Sequence, residues 1–277
     1  LERSQVVDIM RVLKGSAPVC AMTAPAFAGQ FAAEHGRLIT AIKKLGFSDV
    51  TEVAFGAERT AEEEAEELLE RLEKNESFMT TSCCPAYIQT VRRHIPEMLP
   101  HVSDTPTPMH YTAEMVKSAN PETVTVFIGP CVAKRREALE DSCVDYVMTF
   151  EELAALFEAA GIKPEECEEA AITRKPSAEG RGFGSSGGVA GAVTAAVAGR
   201  KPLRTACING TGKAEIARMK AYAKNGAPYD LIEVMTCPGG CSNGAGVYCH
   251  DGTAKARLDK FVAASKDKTP PAENNGN

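Results

Sequence analysis

The chain has 277 residues, of which 44% are hydrophobic and 25% charged, with a formal net charge of −6. That balance lacks the basic face a nucleic-acid partner needs, and no apolar run reaches the roughly 18–20 residues of a membrane span. The opening "LERSQVVDIM" carries no basic-then-apolar leader, so the sequence reads as a cytoplasmic protein able to bury a sizeable core.

In chain order, "VCAMTA" (19–24) predicts a first strand, followed by a helix around 28–45 and a second strand, "VTEVAF" (50–55). A helix around 60–75 leads to strand "FMTTS" (78–82), then to helices at 85–94 and 108–119 on either side of the proline-rich "HIPEMLPHVSDTPTP". Strands "VTVFIG" (124–129) and "DYVMTF" (145–150) precede a helix at 151–160. The glycine-rich "EGRGFGSSGGVAG" (179–191) runs into a helix at 187–198. It lacks the spacing and lysine of a nucleotide loop, so it reads as a place where helix and backbone pack closely. Strand "RTACIN" (204–209), a helix at 212–224 and strand "LIEVMT" (231–236) complete the pattern. Such alternation predicts an α/β protein with largely parallel sheets, in one large domain or two lobes. The polar end with two prolines, 266–277, is expected to be a disordered tail. The start at Leu1 rather than Met is what a fragment of a longer chain would show.

Ten cysteines without a leader point to a reducing compartment, where they serve as thiols or metal ligands. Four sit in loops after predicted strands: Cys84 in "TSCCPAY", Cys131 in "GPCVAKRRE", and Cys237 and Cys241 in "CPGGCSNGAG". Taken singly, each could be an ordinary small apolar residue. Structural zinc draws on two close ligand pairs, and only one close pair exists here, so four thiolates holding a 4Fe–4S cluster fit better. Cys83 remains puzzling, because neighbouring side chains diverge and rarely reach one ion.

Three motifs carry a resemblance. Thr81–Pro85 reads T-S-C-C-P, Pro130–Glu137 reads P-C-x-x-K-x-x-E, and Glu233–Gly244 reads E-x-M-x-C-x-x-x-C-x-x-G. In this order they resemble the catalytic domain of iron-only (FeFe) hydrogenases, and the likeness extends from near residue 24 to about residue 250. The resemblance implies two lobes with a cofactor in the cleft between them. That cofactor, the H-cluster, is a 4Fe–4S cube linked through a cysteine to a diiron subsite with CO, cyanide and an azadithiolate bridge. It implies Cys84, Cys131, Cys237 and Cys241 as cube ligands, with Cys241 also bridging to the diiron. Lys134, Ala24, Pro25 and Ala26 would face the cyanides, and Met109, Pro130, Phe183 and Met235 would line the diiron pocket. Reversible H2 oxidation and proton reduction is the implied reaction. A sensor of H2 or redox state with the same cofactor is the alternative.

By the same resemblance Cys83 is the thiol that exchanges a proton with the diiron amine. On the helix "AEEEAEELLERLEKNE", residues Ala65, Leu68, Leu69 and Leu72 form a buried stripe flanked by Glu64, Glu67 and Arg71. These align with the family's relay, giving the order Arg71 and Glu67, Ser103, Glu64, Cys83. Three positions depart from the commonest pattern: Gly129 replaces a methionine, Met109 a glutamine and Ala26 a serine. The third motif also ends "GAGVY" rather than G-G-G-Q-P. The departures resemble those of sensory branches and are expected to loosen the pocket and slow or bias the enzyme. The hydrogenase domain is read as residues 1–265. Its implied partners are H2 and protons, a ferredoxin or upstream iron–sulfur module, and the proteins that build the diiron site.

Overall fold

The computed structural model describes residues 2–172 and 174–266. Among them seven strands occur: β1 (Val19–Thr23), β2 (Asp49–Glu52), β3 (Met79–Thr80), β4 (Val124–Gly129), β5 (Tyr146–Thr149), β6 (Thr205–Asn209) and β7 (Leu231–Met235). They make a four-stranded sheet ordered β2-β1-β4-β5 and a three-stranded sheet ordered β3-β7-β6. All pairings are parallel. The central strands β1 and β7 are buried along their whole length, which is why they read as apolar runs rather than alternating ones. Helices flank both sheets, as the alternating pattern predicted. In the first sheet the strand order reverses between β1 and β4, the place where open parallel sheets leave a crevice at their carboxyl ends.

Helices Pro85–His94 and Pro108–Ala119 fall at the predicted residues, each with proline in its first turn. Several boundaries differ. The predicted helix at 28–45 begins only at His35, after a 3-10 turn over Pro25–Gly29. Gly29 lies so close to the Ala254 carbonyl that a Cβ would collide with it, so this stretch bends to pack rather than coil. The strand expected at 50–55 stops at Glu52, because Ala54, Ala57 and Ala61 start the buried face of helix Ala54–Glu73. Gly56 on that helix presses against the Pro108 carbonyl, which admits helix Pro108–Ala119 at backbone distance.

The sequence reading missed helices Val6–Leu13, Lys134–Ala138, Ala178–Gly182 and Ala254–Lys266. The last was legible in the spacing of Ala254, Leu258 and Phe261. Arg181 holds it, bonding Ser265 Oγ at 2.8 Å and lying 4.3 Å over the Phe261 ring. Lys266 of the predicted tail closes this helix; residues 267–277 lie outside the described residues. The glycine-rich segment packs closely, as expected. Gly187 takes a left-handed φ of 89°, and a Cβ on Gly188 would collide with the Gly182 carbonyl.

Candidate functional site

The carboxyl ends of strands from both sheets open onto one apolar chamber. Ala24, Pro25 and Ala26 follow β1, Cys83 and Cys84 follow β3, Pro130 and Cys131 follow β4, and Thr236 and Cys237 follow β7. Cys241, Lys134, Met109 and Phe183 complete the lining relevant here. The structure therefore brings together all four predicted ligands, Cys83, and every predicted pocket residue. Two glycines make the C-x3-C loop possible: Gly239 and Gly240 have φ of 89° and 96°, and Gly240 sits against the backbone of Ser185 and Ser186.

All ten cysteines are free. Burial pushes the Cys131 thiol up to about 11, with the charge of Cys84 adding to it and Lys134 opposing. Burial raises Cys241 and Cys237 as well, and neighbouring thiolates add to both. Four thiols gathered in an apolar chamber are unfavourable as free anions, and a cationic metal group would relieve them. Their spacing separates the candidate groups. A single tetrahedral zinc with bonds of about 2.3 Å needs its sulfurs roughly 3.8 Å apart. Among the described residues no three of these cysteines bring their sulfurs within 4.8 Å of one another. The wider set suits a cluster whose iron atoms each take one thiolate.

Lys134 is buried, and its ammonium bonds Glu137 Oε1 and Oε2 at 2.8 and 2.7 Å and Thr107 Oγ1 at 3.2 Å. Burial lowers its pKa, but the Glu137 carboxylate and the charges of Cys131 and Cys83 outweigh that, and the net shift is upward. It thus stays a cation at the chamber wall. Glu137, which closes the second motif, had no role in the sequence reading; it fixes Lys134.

Glu64 does not flank the buried stripe of its helix; it lies in it, at 0% exposure. Its Oε1 accepts from Ser82 N at 3.0 Å and Ser82 Oγ at 3.3 Å, while Oε2 has no partner. Burial pushes its pKa up to about 7, against the Ser82 backbone bond that pulls it down. Cys83 is held well above its usual value by burial first, then by the charges of Glu64 and Glu233. Further out, Ser103 Oγ donates to Glu67 Oε2 at 2.6 Å, and Arg71 Nε donates to Glu67 Oε1 at 2.9 Å. Burial raises the Glu67 pKa, but bonds from Ser103, the Asp104 amide and Thr105, with the Arg71 charge, bring it below the usual range. Ser82 and Thr105 escaped the sequence reading, because a hydroxyl's partner across 18 or 38 residues leaves no local signal.

A pH dependence follows from Glu64. Its folded pKa, about 7, exceeds the ordinary value of 4.5, so the folded state binds more protons between those values. Its contribution to stability is fully present below about pH 4.5 and is lost as pH rises through 7, on the order of 3 kcal/mol. The Glu64→Gln variant should show a melting midpoint that falls less than wild type between pH 5 and pH 8. Parallel curves would place the titration elsewhere.

The departures from the common pattern do not all loosen the chamber. At Gly129 a Cβ would come within 2.6 Å of Phe127 Cζ and 3.1 Å of Ala24 Cβ, so the ring of Phe127 occupies the room a longer residue would use. Gly129→Met alone should therefore destabilise by roughly 1–3 kcal/mol through overpacking. Phe127→Ala in the same chain should recover part of that loss, which a double-mutant cycle of melting midpoints would read. Ala26 and Met109 are fully buried at the wall and bring no polar group to it.

Glu233, another motif residue without an assigned role, accepts from Gly187 N at 2.7 Å and Ala190 N at 2.9 Å. It tethers the glycine-rich turn, which carries Phe183, to β7, which carries Met235. Burial raises its pKa, against those backbone bonds. Cys249, beside His250, lies outside the chamber, with its sulfur 2.9 Å from Asp251 Oδ1.

Fold and thiol set together define an iron–sulfur protein of two parallel-sheet lobes. A family model described as the iron-only hydrogenase large subunit, C-terminal domain, matches residues 17–245, and the chain belongs to that family. It is 31% identical to iron hydrogenase 1 of Clostridium pasteurianum, over 76% of this chain and 45% of that protein. It is also 31% identical to the periplasmic Fe hydrogenase large subunit of Nitratidesulfovibrio vulgaris, over 76% of this chain and 62% of that one. The chain thus spans about half the length of these relatives. A cytosolic Fe–S cluster assembly factor, NAR1 of Kluyveromyces lactis, is 33% identical over 32% of this chain and 20% of its own length. Among solved structures, the FeFe-hydrogenase HydA1 of Chlamydomonas reinhardtii superposes with a TM-score of 0.80 over 97% of this chain and 91% of that one. At 23% identity, that likeness is one of fold.

Proposed function

We propose that the chain, through a domain of residues 1–265, binds an H-cluster and catalyses reversible H2 oxidation and proton reduction. The carrying observation is that the chamber holds more than four ligands. A holder of a cube alone needs the four thiols, whereas this chamber adds a non-ligating thiol, Cys83, a fixed cation, Lys134, and apolar walls from Met109, Phe183 and Met235. Cys84, Cys131, Cys237 and Cys241 would hold the cube, with Cys241 adjoining the diiron part. When bound, the group supplies the redox chemistry of H2, and the protein supplies anchoring, charge and protons.

In this reading Lys134, oriented by Glu137, offers a charge-assisted hydrogen bond to an anionic ligand at the wall. Ala24, Pro25, Ala26 and Pro130 shape that wall, and the apolar side chains exclude water. Cys83 holds its proton because burial and the Glu64 and Glu233 charges disfavour its thiolate. Glu64, with a pKa near 7 and one free oxygen, exchanges a proton readily at neutral pH. Ser103, Glu67 and Arg71 extend the chain toward solvent. Ten free thiols suit a reducing cytoplasm, and among the described residues no helix is long and apolar enough to cross a membrane. Electrons would come from a ferredoxin-like carrier or an iron–sulfur module, and the diiron part from its assembly proteins.

The apolar positions Ala26 and Met109 favour a second use of the same site, a slow sensor of H2 or redox state. Likeness to an assembly factor suggests a third, a cluster carrier without diiron. H2 evolution from a reduced viologen after maturation separates the three. Sustained turnover is expected; slow but measurable turnover favours the sensor. No turnover from fully loaded protein refutes the enzyme reading.

A further inference from the structure

Outside the chamber, His110, Asp141 and Cys143 converge at the surface of the first lobe. His110 is the third residue of helix Pro108–Ala119, while Asp141 and Cys143 lie in the turn between helix Lys134–Ala138 and β5. One donor atom from each residue lies within 4.8 Å of the other two. This is the close spacing that the four chamber cysteines lack. His110 Nδ1 is 2.9 Å from Asp141 Oδ2, and the Cys143 backbone N–H donates to Asp141 Oδ1 at 2.8 Å. That bond folds the turn so that the carboxylate and the thiol face the imidazole. Among the described residues no lysine or arginine pairs with Asp141, so no fixed cation already neutralises the group. All three residues are partly exposed, which leaves an entry path for an ion.

We propose that His110, Asp141 and Cys143 form a second metal site, taking a zinc-class divalent ion with water in the fourth position. An imidazole nitrogen, a carboxylate oxygen and a thiolate sulfur are the donors zinc accepts in tetrahedral geometry. Binding releases the Cys143 thiol proton to solvent, and His110 coordinates as a neutral imidazole through one ring nitrogen with its hydrogen on the other. The site joins two elements that serve the chamber. Pro108 and Met109 start the helix that carries His110, and Lys134 lies on the helix that leads to Asp141. An ion there fastens the Met109 wall to the Lys134 wall.

The test uses cluster-loaded protein equilibrated with zinc chloride, then dialysed against zinc-free buffer. The expected result is a single retained zinc per chain, unchanged iron, and a zinc-edge X-ray absorption spectrum with one sulfur among nitrogen and oxygen neighbours. Cys143→Ser should remove the sulfur signal, and His110→Ala should weaken retention by at least roughly 10–100-fold. Asp141→Asn keeps an oxygen to accept the Cys143 amide, so it should lose affinity while the fold, read by circular dichroism, stays. Three results overturn the proposal: no retained zinc in the wild type, the same zinc–sulfur signal in Cys143→Ser, or iron lost as zinc enters.

Discussion

Replacing Cys83 by serine is expected to lower H2 turnover by roughly 10²–10⁴-fold, the usual contribution of a positioned acid–base group, with iron content unchanged. Cys83 lines the chamber beside Cys84, yet the two side chains diverge from the end of β3 toward different neighbours. Cys84 approaches Thr236 Oγ1 at 3.7 Å, near Cys237, while Cys83 feels the charges of Glu64 and Glu233. Burial and those carboxylates keep the Cys83 thiol protonated, which suits the proposed role of holding a proton rather than an iron. Serine preserves volume, but its hydroxyl releases a proton far less readily than a thiol. Viologen-driven H2 evolution and iron per chain are the two readings. Unchanged turnover would route protons elsewhere, and lost iron would make Cys83 a ligand.

Cys84→Ser should have the complementary effect, loss of the cube itself. The four thiols lie together in the chamber, where the charges of Cys131, Cys84 and Cys237 raise Cys241, that of Cys84 raises Cys131, and Lys134 opposes both shifts. Removing one leaves an iron without its thiolate and exposes the rest to hydrolysis. Iron per chain should drop after desalting, and the visible absorption of the cube should vanish with it. Cys207→Ser and Cys249→Ser serve as controls. Neither residue lines the chamber, and both variants should keep iron at the wild-type level. Equal retention in Cys84→Ser would remove it from the ligand set.

The parallel sheets were legible because β1, β4 and β7 are buried on both faces and so appear as uninterrupted apolar runs. The four candidate cysteines stand out for a related reason: each lies in a loop beyond a strand end, where the chain must leave the sheet. Less visible were groups whose partners are distant in sequence. Ser82 meets Glu64 and Thr105 meets Glu67 only after helix Ala54–Glu73 packs beside the proline-rich connection. Glu64 was placed beside the buried stripe rather than in it, because a run of glutamates gives no sign of which one faces fully inward. Gly129 was misjudged for a steric reason. Its lost side chain suggested open space, but Phe127, two residues earlier on the same strand face, fills it. Residues 254–266 were passed over beside a polar, proline-containing end, although Ala254, Leu258 and Phe261 already marked one helical face.

Infrared spectroscopy of the protein produced together with diiron-site assembly proteins tests the central claim most directly. CO and cyanide stretches absorb where protein does not, so the signal reports the diiron part alone. The proposed H-cluster predicts both sets of bands, retained in Cys83→Ser and absent from Cys84→Ser. A cube-loaded protein without CO or cyanide bands under those conditions would contradict it and leave a cluster carrier in its place.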